Sequence, residues 1–226
     1  MRPPEFITFT GVDANTPIRE LVALSQRYPI EWGVLFSPSR HDDPRYPCTS
    51  FVFELMAQAR SRGLRLAAHL CGNHSRNIFD LGGTSVDGLM AGFQRAQINS
   101  LEGASNAANV RSWAAKWGVK PILQCRDSFP VGNTGIEWLF DPSGGRGVSP
   151  QVWPKAPDHS RCGYAGGMRP ENVAQAVSVI GRLATRYWID METGVRDEKD
   201  HFSVERCRLV CEAVFGRDFV RKGDTA

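Results

Sequence analysis

Asp141 is the residue whose setting points most directly to chemistry. It ends the apolar run IEWLFD, residues 136–141, and the turn-like stretch PSGG follows it. A carboxyl group that closes a buried strand tends to face a cavity, where partial loss of water raises its pKa and suits it to act as a general acid. Asp followed by Pro also favours turns, so capping of the PSGG turn is an equally good interpretation.

Two residue pairs nearer the C-terminus have the pattern of a phosphate site. Gly166-Gly167 follows the run RCGYA, and Thr193-Gly194 follows the run YWIDME. Glycine allows a backbone to approach a ligand closely with its N–H groups exposed, and a nearby helix N-terminus favours anions. Gly166-Gly167 alone also fits a plain turn before a helix, but the matching Thr193-Gly194 favours phosphate.

Composition excludes several classes of function. The 226 residues are 42% hydrophobic and 23% charged with a net charge of +3, which is typical of a globular protein and not of a nucleic-acid-binding one. No apolar stretch approaches the ~18 residues of a transmembrane helix, and the start MRPPEFITF lacks a signal-peptide core. The cysteines lack zinc-site spacing, so we expect buried thiols, no metal site and a cytoplasmic location.

Eight short apolar runs alternate with connecting segments, most of them helix-like. Alternating strands and helices predict a parallel sheet, and eight strands is the number that closes a barrel. We predict an α/β fold, a single-domain (β/α)8 TIM barrel over residues 1–226; a doubly wound open sheet is the alternative. The segment DSFPVGNTG is too short and too rich in Gly and Pro for a normal helix, so the helix between strands five and six should be degenerate. The predicted strands are Phe6–Thr10, Ile30–Phe36, Leu64–Cys71, Arg95–Asn99, Lys120–Arg126, Ile136–Asp141, Arg161–Ala165 and Tyr187–Glu192.

Four stretches together resemble the phosphoribosylanthranilate isomerase family. AGGMRPENVAQAV is similar to the family's AGGLxPxNVxxAI, and IDMETGVRDEKD is similar to its DVSSGVE and the KD-containing stretch that follows. LFDPSGGRGVSP resembles LLDxxxGGxGxxFDW, and WGVLFSPSRHDDPRYP resembles GFxFxxxSPRxV. The resemblance implies a (β/α)8 barrel that performs the Amadori rearrangement of a phosphoribosyl amine in tryptophan biosynthesis without a cofactor.

The resemblance also implies roles for individual residues. Asp141 would be the general acid that opens the ribose ring, and backbone N–H groups of the two pairs described above would hold the phosphate. Arg45, in DPRYP, would bind the carboxylate end of the substrate, with Arg40 as the alternative. Gly145, in the stretch after Asp141, would also contact the substrate.

The first strand departs from the family's pattern. The family ends this strand in KICG, whose Cys takes the proton from C2 of the sugar, whereas this chain reads TFTG with Thr10 in that place. A threonine hydroxyl has a pKa far above the ~8.5 of a thiol and cannot act as a base unaided. The family's strand-four QLHG is likewise reduced to QINS.

Other residues are candidates for the missing base. They are Asp13, on the loop after strand one, Cys71 and His69, at the end of strand three, and Cys125, at the end of strand five. Each has a structural alternative: Asp13 as a turn or helix cap, the cysteines as ordinary buried thiols, and His69 as a core histidine.

The sequence thus favours a phosphoribosylanthranilate isomerase-like enzyme that works by acid–base chemistry. The alternatives are a diverged barrel acting on another phosphosugar and a non-catalytic phosphosugar-binding protein that has lost the base. In each case we expect a phosphorylated, sugar-derived small molecule as the ligand, no nucleic-acid or membrane partner, and a monomer or homodimer.

Overall fold

A closed barrel of eight parallel strands forms the centre of the molecule. The computed structural model describes residues 2–40, 43–100, 103–131, 135–144 and 146–220. The strands pair in chain order, and β1 pairs with β8, so the predicted TIM barrel is confirmed and the open sheet is excluded. The strands are β1 Ile7–Thr10, β2 Ile30–Phe36, β3 Arg65–Leu70, β4 Arg95–Ile98, β5 Lys120–Cys125, β6 Glu137–Phe140, β7 Arg161–Ala165 and β8 Arg186–Met191.

Six α-helices within the described residues lie on the outside of the barrel. Between β5 and β6 the described residues contain no helix, as the Gly- and Pro-rich segment predicts. None of the helices in the described ranges is long and apolar enough to cross a membrane. The helices are α1 Ile18–Arg27, α2 Thr49–Arg62, α3 Asn73–Phe79, α4 Ala107–Trp117, α5 Val173–Leu183 and α6 Val204–Phe215.

Apolar residues at helical spacing attach the outer helices to the sheet. In α5, Val173, Val177 and Ile180 are buried, at intervals of four and three residues that place them on one face of the helix. In α1, Leu21 and Leu24 are buried in the same way. Burial of these faces makes each helix stable only in contact with the barrel, because helices of this length are marginal alone.

The inside of the barrel is filled by a small apolar cluster. Phe6, Ile122, Leu139 and Trp188 pack together, and the rings of Phe6 and Trp188 stack with centroids 6.0 Å apart. Gly163 of β7 leaves room for this packing, because a Cβ atom there would overlap the Trp188 indole and lie 2.6 Å from Leu139 Cδ1. The barrel is therefore a packed core and not a pore.

An ionic layer closes the amino-terminal end of the barrel. Arg95 lies 2.9 Å from Glu31 Oε1 and 3.1 Å from Glu137 Oε2, and all three side chains are buried. The Arg95 guanidinium also lies over the Trp188 ring, 4.0 Å from its centroid. Because a buried charge is costly without a close partner, these contacts hold the amino-terminal ends of the strands in one arrangement. The open end of the barrel is at the carboxyl ends of the strands.

Gly163→Ala should destabilise the fold by about 1–3 kcal/mol, because the added methyl group overpacks the barrel interior against Trp188. Urea denaturation followed by tryptophan fluorescence measures this loss. Gly88→Ala is the matched control: a Cβ there meets no atom within 4 Å, and its effect should stay within about 0.5 kcal/mol. Equal stability of the two variants would contradict the packing described here.

Candidate functional site

A cavity of about 260 Å³ opens at the carboxyl ends of the strands. This is near the small end of the range for ligand pockets and suits a small molecule. Because side chains alternate along a strand, one inward-facing polar residue from each of several strands reaches the same space. The strand residues used below are Thr10, His69, Gln97, Gln124, Asp141 and Asp190, and all of them line the cavity.

Thr10, His69 and Asp190 form a buried hydrogen-bonded cluster at the base of the cavity. The Thr10 hydroxyl donates to Asp190 Oδ1 at 3.0 Å, and Thr10 Oγ1 lies 3.3 Å from His69 Nε2. His69 Nε2 is 3.9 Å from Asp190 Oδ2. A neutral His69 with its proton on Nε2 would donate to Thr10, which in turn donates to Asp190.

Burial governs the charge of this cluster. Loss of water raises the pKa of Asp190 well above its ordinary value, although the Thr10 hydrogen bond opposes the shift. Burial, together with the Arg95 charge, lowers the pKa of His69 to about 3. The neutral forms are therefore favoured for both groups, and we describe the contact between them as polar and not as an ion pair.

Two buried side-chain oxygens in the cavity have no hydrogen-bond partner among the described residues. They are Asp190 Oδ2 and Gln97 Oε1; the Gln97 amide nitrogen donates to Asn99 Oδ1 at 2.7 Å. An unsatisfied buried polar atom costs about 1–3 kcal/mol, so such atoms in a native fold call for an explanation. Both residues line the cavity, where a bound molecule can reach these atoms.

Asp141 faces the same cavity and is held there by its own turn. Its Oδ1 accepts hydrogen bonds from the Ser143 hydroxyl at 2.8 Å and from the backbone N–H groups of Ser143 and Gly144, both at 3.1 Å. Gln124 Nε2 donates to Oδ2 at 3.4 Å. The sequence left two interpretations of Asp141 open, as a cap of the PSGG turn and as a residue that faces a cavity. In the structure Asp141 is both.

The predicted phosphate loops converge on the other side of the cavity. Gly166, Gly167, Thr193 and Gly194 all line it. Gly167 has φ 58° and packs so closely on Ser149 that a Cβ atom would lie 2.5 Å from the Ser149 nitrogen. Only glycine fits this conformation and this contact, so the loop brings bare backbone to the cavity wall.

Arg206 adds a positive charge to this side of the cavity. Ser203 caps α6 by accepting a hydrogen bond from the Arg206 backbone N–H at 3.2 Å. The Arg206 side chain then donates from Nε to the Gly194 carbonyl at 3.1 Å and from Nη2 to Glu171 at 3.2 Å. The cap therefore sets where the guanidinium meets the phosphate loops.

Asp13 lies elsewhere, in a buried ion pair between loops. Its Oδ2 accepts from Arg196 Nη2 at 3.2 Å and from the Phe202 backbone at 2.9 Å, and its Oδ1 accepts from Thr16 at 3.0 Å. Asp13 is not among the described residues that line the cavity. In this structure it joins the loop after β1 to the loop after β8.

The predicted carboxylate-binding residues lie on the loop after β2. Arg45 is paired with Glu192 and Asp200, both of them acidic. Arg40 is exposed, 3.7 Å from Asp43. Neither arginine belongs to the described lining of the cavity. Gly145 falls outside the described residues.

The cysteine candidates are unsuited to act as bases. Burial raises the pKa of Cys71 to about 11 and that of Cys125 to about 12. Cys71 accepts a hydrogen bond from Asn99 Nδ2 at 3.1 Å. Neither thiol is part of the described cavity wall, and both are only partly exposed.

Solved structures show the same architecture. A TrpF from Jonesia denitrificans is 18% identical over 93% of this chain and 97% of its own, with a TM-score of 0.65. Phosphoribosyl anthranilate isomerase from Thermus thermophilus is 16% identical, covering 92% of this chain and 96% of that one, with a TM-score of 0.60. The likeness is to phosphoribosylanthranilate isomerases.

One further solved structure holds a ligand. It is a phosphoribosyl anthranilate isomerase in complex with reduced 1-(o-carboxyphenylamino)-1-deoxyribulose 5-phosphate; it is 13% identical over 93% of this chain and 98% of its own, with a TM-score of 0.59. At this identity the likeness shows the fold. No family model and no curated protein matches the chain.

Sequence reasoning missed Asp190, Gln97, Gln124, Glu192 and Arg206 as site residues. A signal was present for the strand residues: each is polar within an apolar run and follows the period of two that points one set of side chains into the barrel. No such pattern marks Arg206, because a residue of α6 reaches the cavity only through the position in which that helix packs against the barrel.

Asp190→Asn should change the pH dependence of stability. The folded-state pKa of Asp190 is raised, so between the unfolded value near 4 and the folded value the unfolded chain has lost a proton that the folded protein keeps. Wild-type stability should fall with rising pH in this window by up to about 1.4 kcal/mol per pH unit, and the Asn variant should lack this loss.

Urea denaturation from pH 4 to pH 8 measures the difference. The stability of Asp190→Asn relative to wild type should rise with pH. Asp158→Asn, at an exposed carboxyl, controls for the loss of one acidic group. A relative stability that stays constant or falls would show that Asp190 is ionised in the folded protein throughout this range.

Proposed function

We propose that the protein binds a phosphorylated sugar derivative in the carboxyl-end cavity and isomerises it by acid–base catalysis without a cofactor. The reaction type is an Amadori rearrangement of a phosphoribosyl amine or a related phosphosugar. One observation supports the proposal: two carboxyl groups, Asp141 and Asp190, share a small cavity with the glycine-rich loops after β7 and β8.

The phosphate would bind between the loops after β7 and β8. Backbone at Gly166, Gly167, Thr193 and Gly194 lines this part of the cavity, and Arg206 supplies charge beside it. Loops after the last two strands of such barrels commonly hold phosphate. With the phosphate there, the sugar carbons extend toward Thr10 and the two carboxyl groups.

Asp190 and Asp141 would then supply the two proton transfers. Burial favours the protonated form of Asp190, which is the form a general acid needs in order to protonate the ring oxygen. Asp141 accepts hydrogen bonds from its turn at Oδ1 and would take the proton from C2. This assigns Asp141 as the base, the reverse of the acid role that the resemblance implies.

Each of these two carboxyl groups would move a proton twice, so the reaction has four proton movements. Asp190 protonates the ring oxygen as the C1–O bond breaks, giving an open-chain iminium ion. Asp141 removes the C2 proton, giving an enolamine; it then gives a proton to C1 while the ionised Asp190 takes the C2 hydroxyl proton, which gives the ketone and restores both carboxyl groups. Thr10 and His69 hold Asp190 in place throughout by the chain of contacts at its Oδ1.

Gly167→Asp should abolish binding of ribose 5-phosphate and of inorganic phosphate, because the side chain overlaps Ser149 and adds a negative charge at the anion site. Isothermal titration calorimetry measures both ligands. Arg206→Gln should weaken both by several-fold without backbone strain. Arg208→Gln, two residues further along α6 and paired with Glu205 and Glu212, should leave both unchanged.

Failure of the wild type to bind either ligand would contradict the proposed phosphate site. The same conclusion would follow if Gly167→Asp bound them as tightly as the wild type.

Asp141→Asn and Asp190→Asn should each lower kcat/KM by about 10²–10⁴ on N-(5-phosphoribosyl)aniline, which forms in solution from ribose 5-phosphate and aniline. The pH profile separates the two roles. Asp141→Asn should remove the acidic limb, which reports the base, and Asp190→Asn should remove the alkaline limb, which reports the acid.

If Asp141→Asn removed the alkaline limb and Asp190→Asn removed the acidic limb, Asp141 would be the acid. Turnover that survives Asp141→Asn unchanged would remove Asp141 from the reaction. Asp127→Asn, a change of the same kind on the loop after β5 away from the described cavity wall, is the matched control.

A non-catalytic phosphosugar-binding protein is the second candidate function, and Thr10 favours it. Thr10 has no proton-accepting group at neutral pH, and its hydroxyl is already committed to Asp190. This alternative predicts phosphate binding without turnover in the wild type. Thr10→Cys discriminates, because a gain of isomerisation from no activity would show that only the base was missing.

A further inference from the structure

Glu192 places a carboxylate at the mouth of the cavity. It follows β8, two residues after Asp190, and its half-buried side chain lines the cavity. The side chain points toward the loops after β1 and β2 and away from the β7 loop: it pairs with Arg45, and a Cβ atom on Gly11 would lie 3.6 Å from its Cγ. Burial raises the pKa of Glu192, and the Arg45 charge opposes the shift. In both protonation states Glu192 offers an oxygen acceptor to a ligand beyond the phosphate site.

Arg45 is committed to acidic residues of the protein. Its Nη1 donates to Glu192 Oε1 at 2.8 Å, its Nε to Asp200 Oδ2 at 2.9 Å and its Nη2 to Asp200 Oδ1 at 2.7 Å. All three nitrogens thus meet a carboxylate. A carboxylate on a ligand would have to displace one of these two partners to reach Arg45.

Asp200 is itself anchored, so Arg45 is not easily released. Arg196, almost fully buried, donates from Nε to Asp200 Oδ1 at 3.0 Å and to the Asp200 carbonyl at 2.8 Å. Arg196 also pairs with Asp13 and donates to the Gly11 carbonyl at 3.0 Å. The buried Arg196 thus fixes the position of Asp200, whose own side chain is 54% exposed, beside Arg45.

Charge is segregated within the cavity. The basic side chains of its described lining, Arg169 and Arg206, belong to the phosphate side. The remaining wall carries three carboxyl groups, those of Asp141, Asp190 and Glu192, and His69 adds no charge because its low pKa keeps the ring neutral. The wall thus offers cations to one end of a ligand and acceptors to the other.

We infer that the ligand carries a neutral or cationic hydrogen-bond donor, such as an amine, at the end opposite its phosphate, and no carboxylate there, with Glu192 selecting for it. This inference rests on the proposed function, since it needs the phosphate to bind at the loops after β7 and β8. Glu192 acts here through direct contact with the ligand, and Arg45 positions it.

Three stable probes that differ in one substituent test the inference. They are reduced 1-arylamino-1-deoxyribulose 5-phosphates with an ortho carboxylate, an ortho hydrogen or an ortho aminomethyl group. In the wild type the aminomethyl probe should bind most tightly and the carboxylate probe about tenfold more weakly than the hydrogen probe, a difference of about 1.4 kcal/mol. Isothermal titration calorimetry measures all three, with inorganic phosphate as a fourth ligand.

Glu192→Gln should reduce the differences in affinity among the three probes. It should strengthen binding of the carboxylate probe about tenfold and weaken the aminomethyl probe, while the hydrogen probe and inorganic phosphate stay within twofold. Glu198→Gln, an equal change of charge on the loop after β8 and away from the described cavity wall, should leave all four ligands unchanged.

The outcomes separate the inference from the proposed function. Wild-type binding of the carboxylate probe as tightly as the hydrogen probe overturns the inference and leaves the phosphate site standing. A Glu192→Gln effect that is equal for all probes overturns Glu192 as the selecting residue. Absence of binding by every probe and by inorganic phosphate overturns the proposed function and the inference with it.

Discussion

Closure of the sheet between β1 and β8 is the constraint on which the site depends. The pairing of Thr8 with Asp190 and of Phe9 with Met191 brings the first and last strands side by side. Only this pairing puts the Thr10 hydroxyl within 3.0 Å of the Asp190 carboxyl. Without closure, Asp190 would end an edge strand in water and its pKa would not be raised by burial.

Closure also forces polar side chains into a space with little water. At the amino-terminal end the charged side chains pair with one another: Arg95 lies between Glu31 and Glu137 and against Trp188. At the carboxyl end the polar side chains surround a cavity instead, and Asp190 Oδ2 and Gln97 Oε1 have no hydrogen-bond partner among the described residues. Buried atoms without a hydrogen bond also occur in the amino-terminal layer, at Glu31 Oε2 and Glu137 Oε2, so the carboxyl end is distinguished by a cavity that a ligand can enter.

The loops outside the barrel then distribute charge around the opening. Arg196 and Arg45 pair with Asp13, Asp200 and Glu192 and join the loops after β1, β2 and β8. Glycine backbone and Arg206 remain at the loops after β7 and β8, where we propose that a phosphate binds.

The linear sequence determined the order of the strands and the barrel, because both follow from the number of apolar runs of strand length. It also determined the place of the glycine pairs, which directly follow two of these runs. Asp141 was also found this way, since its turn and its strand end are neighbours in the chain. Asp141 Oδ1 is held by residues only two and three positions away.

Tertiary structure alone decided the partners of the charged and polar residues. Arg196 pairs with Asp13 across 183 positions, Arg45 with Asp200 across 155, and Thr10 with Asp190 across 180. Whether an Asp acts as a base, a buried acid or a loop tie depends on burial and on the nearest opposite charge. Both quantities are set by contacts that no local pattern specifies. The period of two marks Asp190 as an inward-facing residue, but its burial and its contact with Thr10 come from the fold.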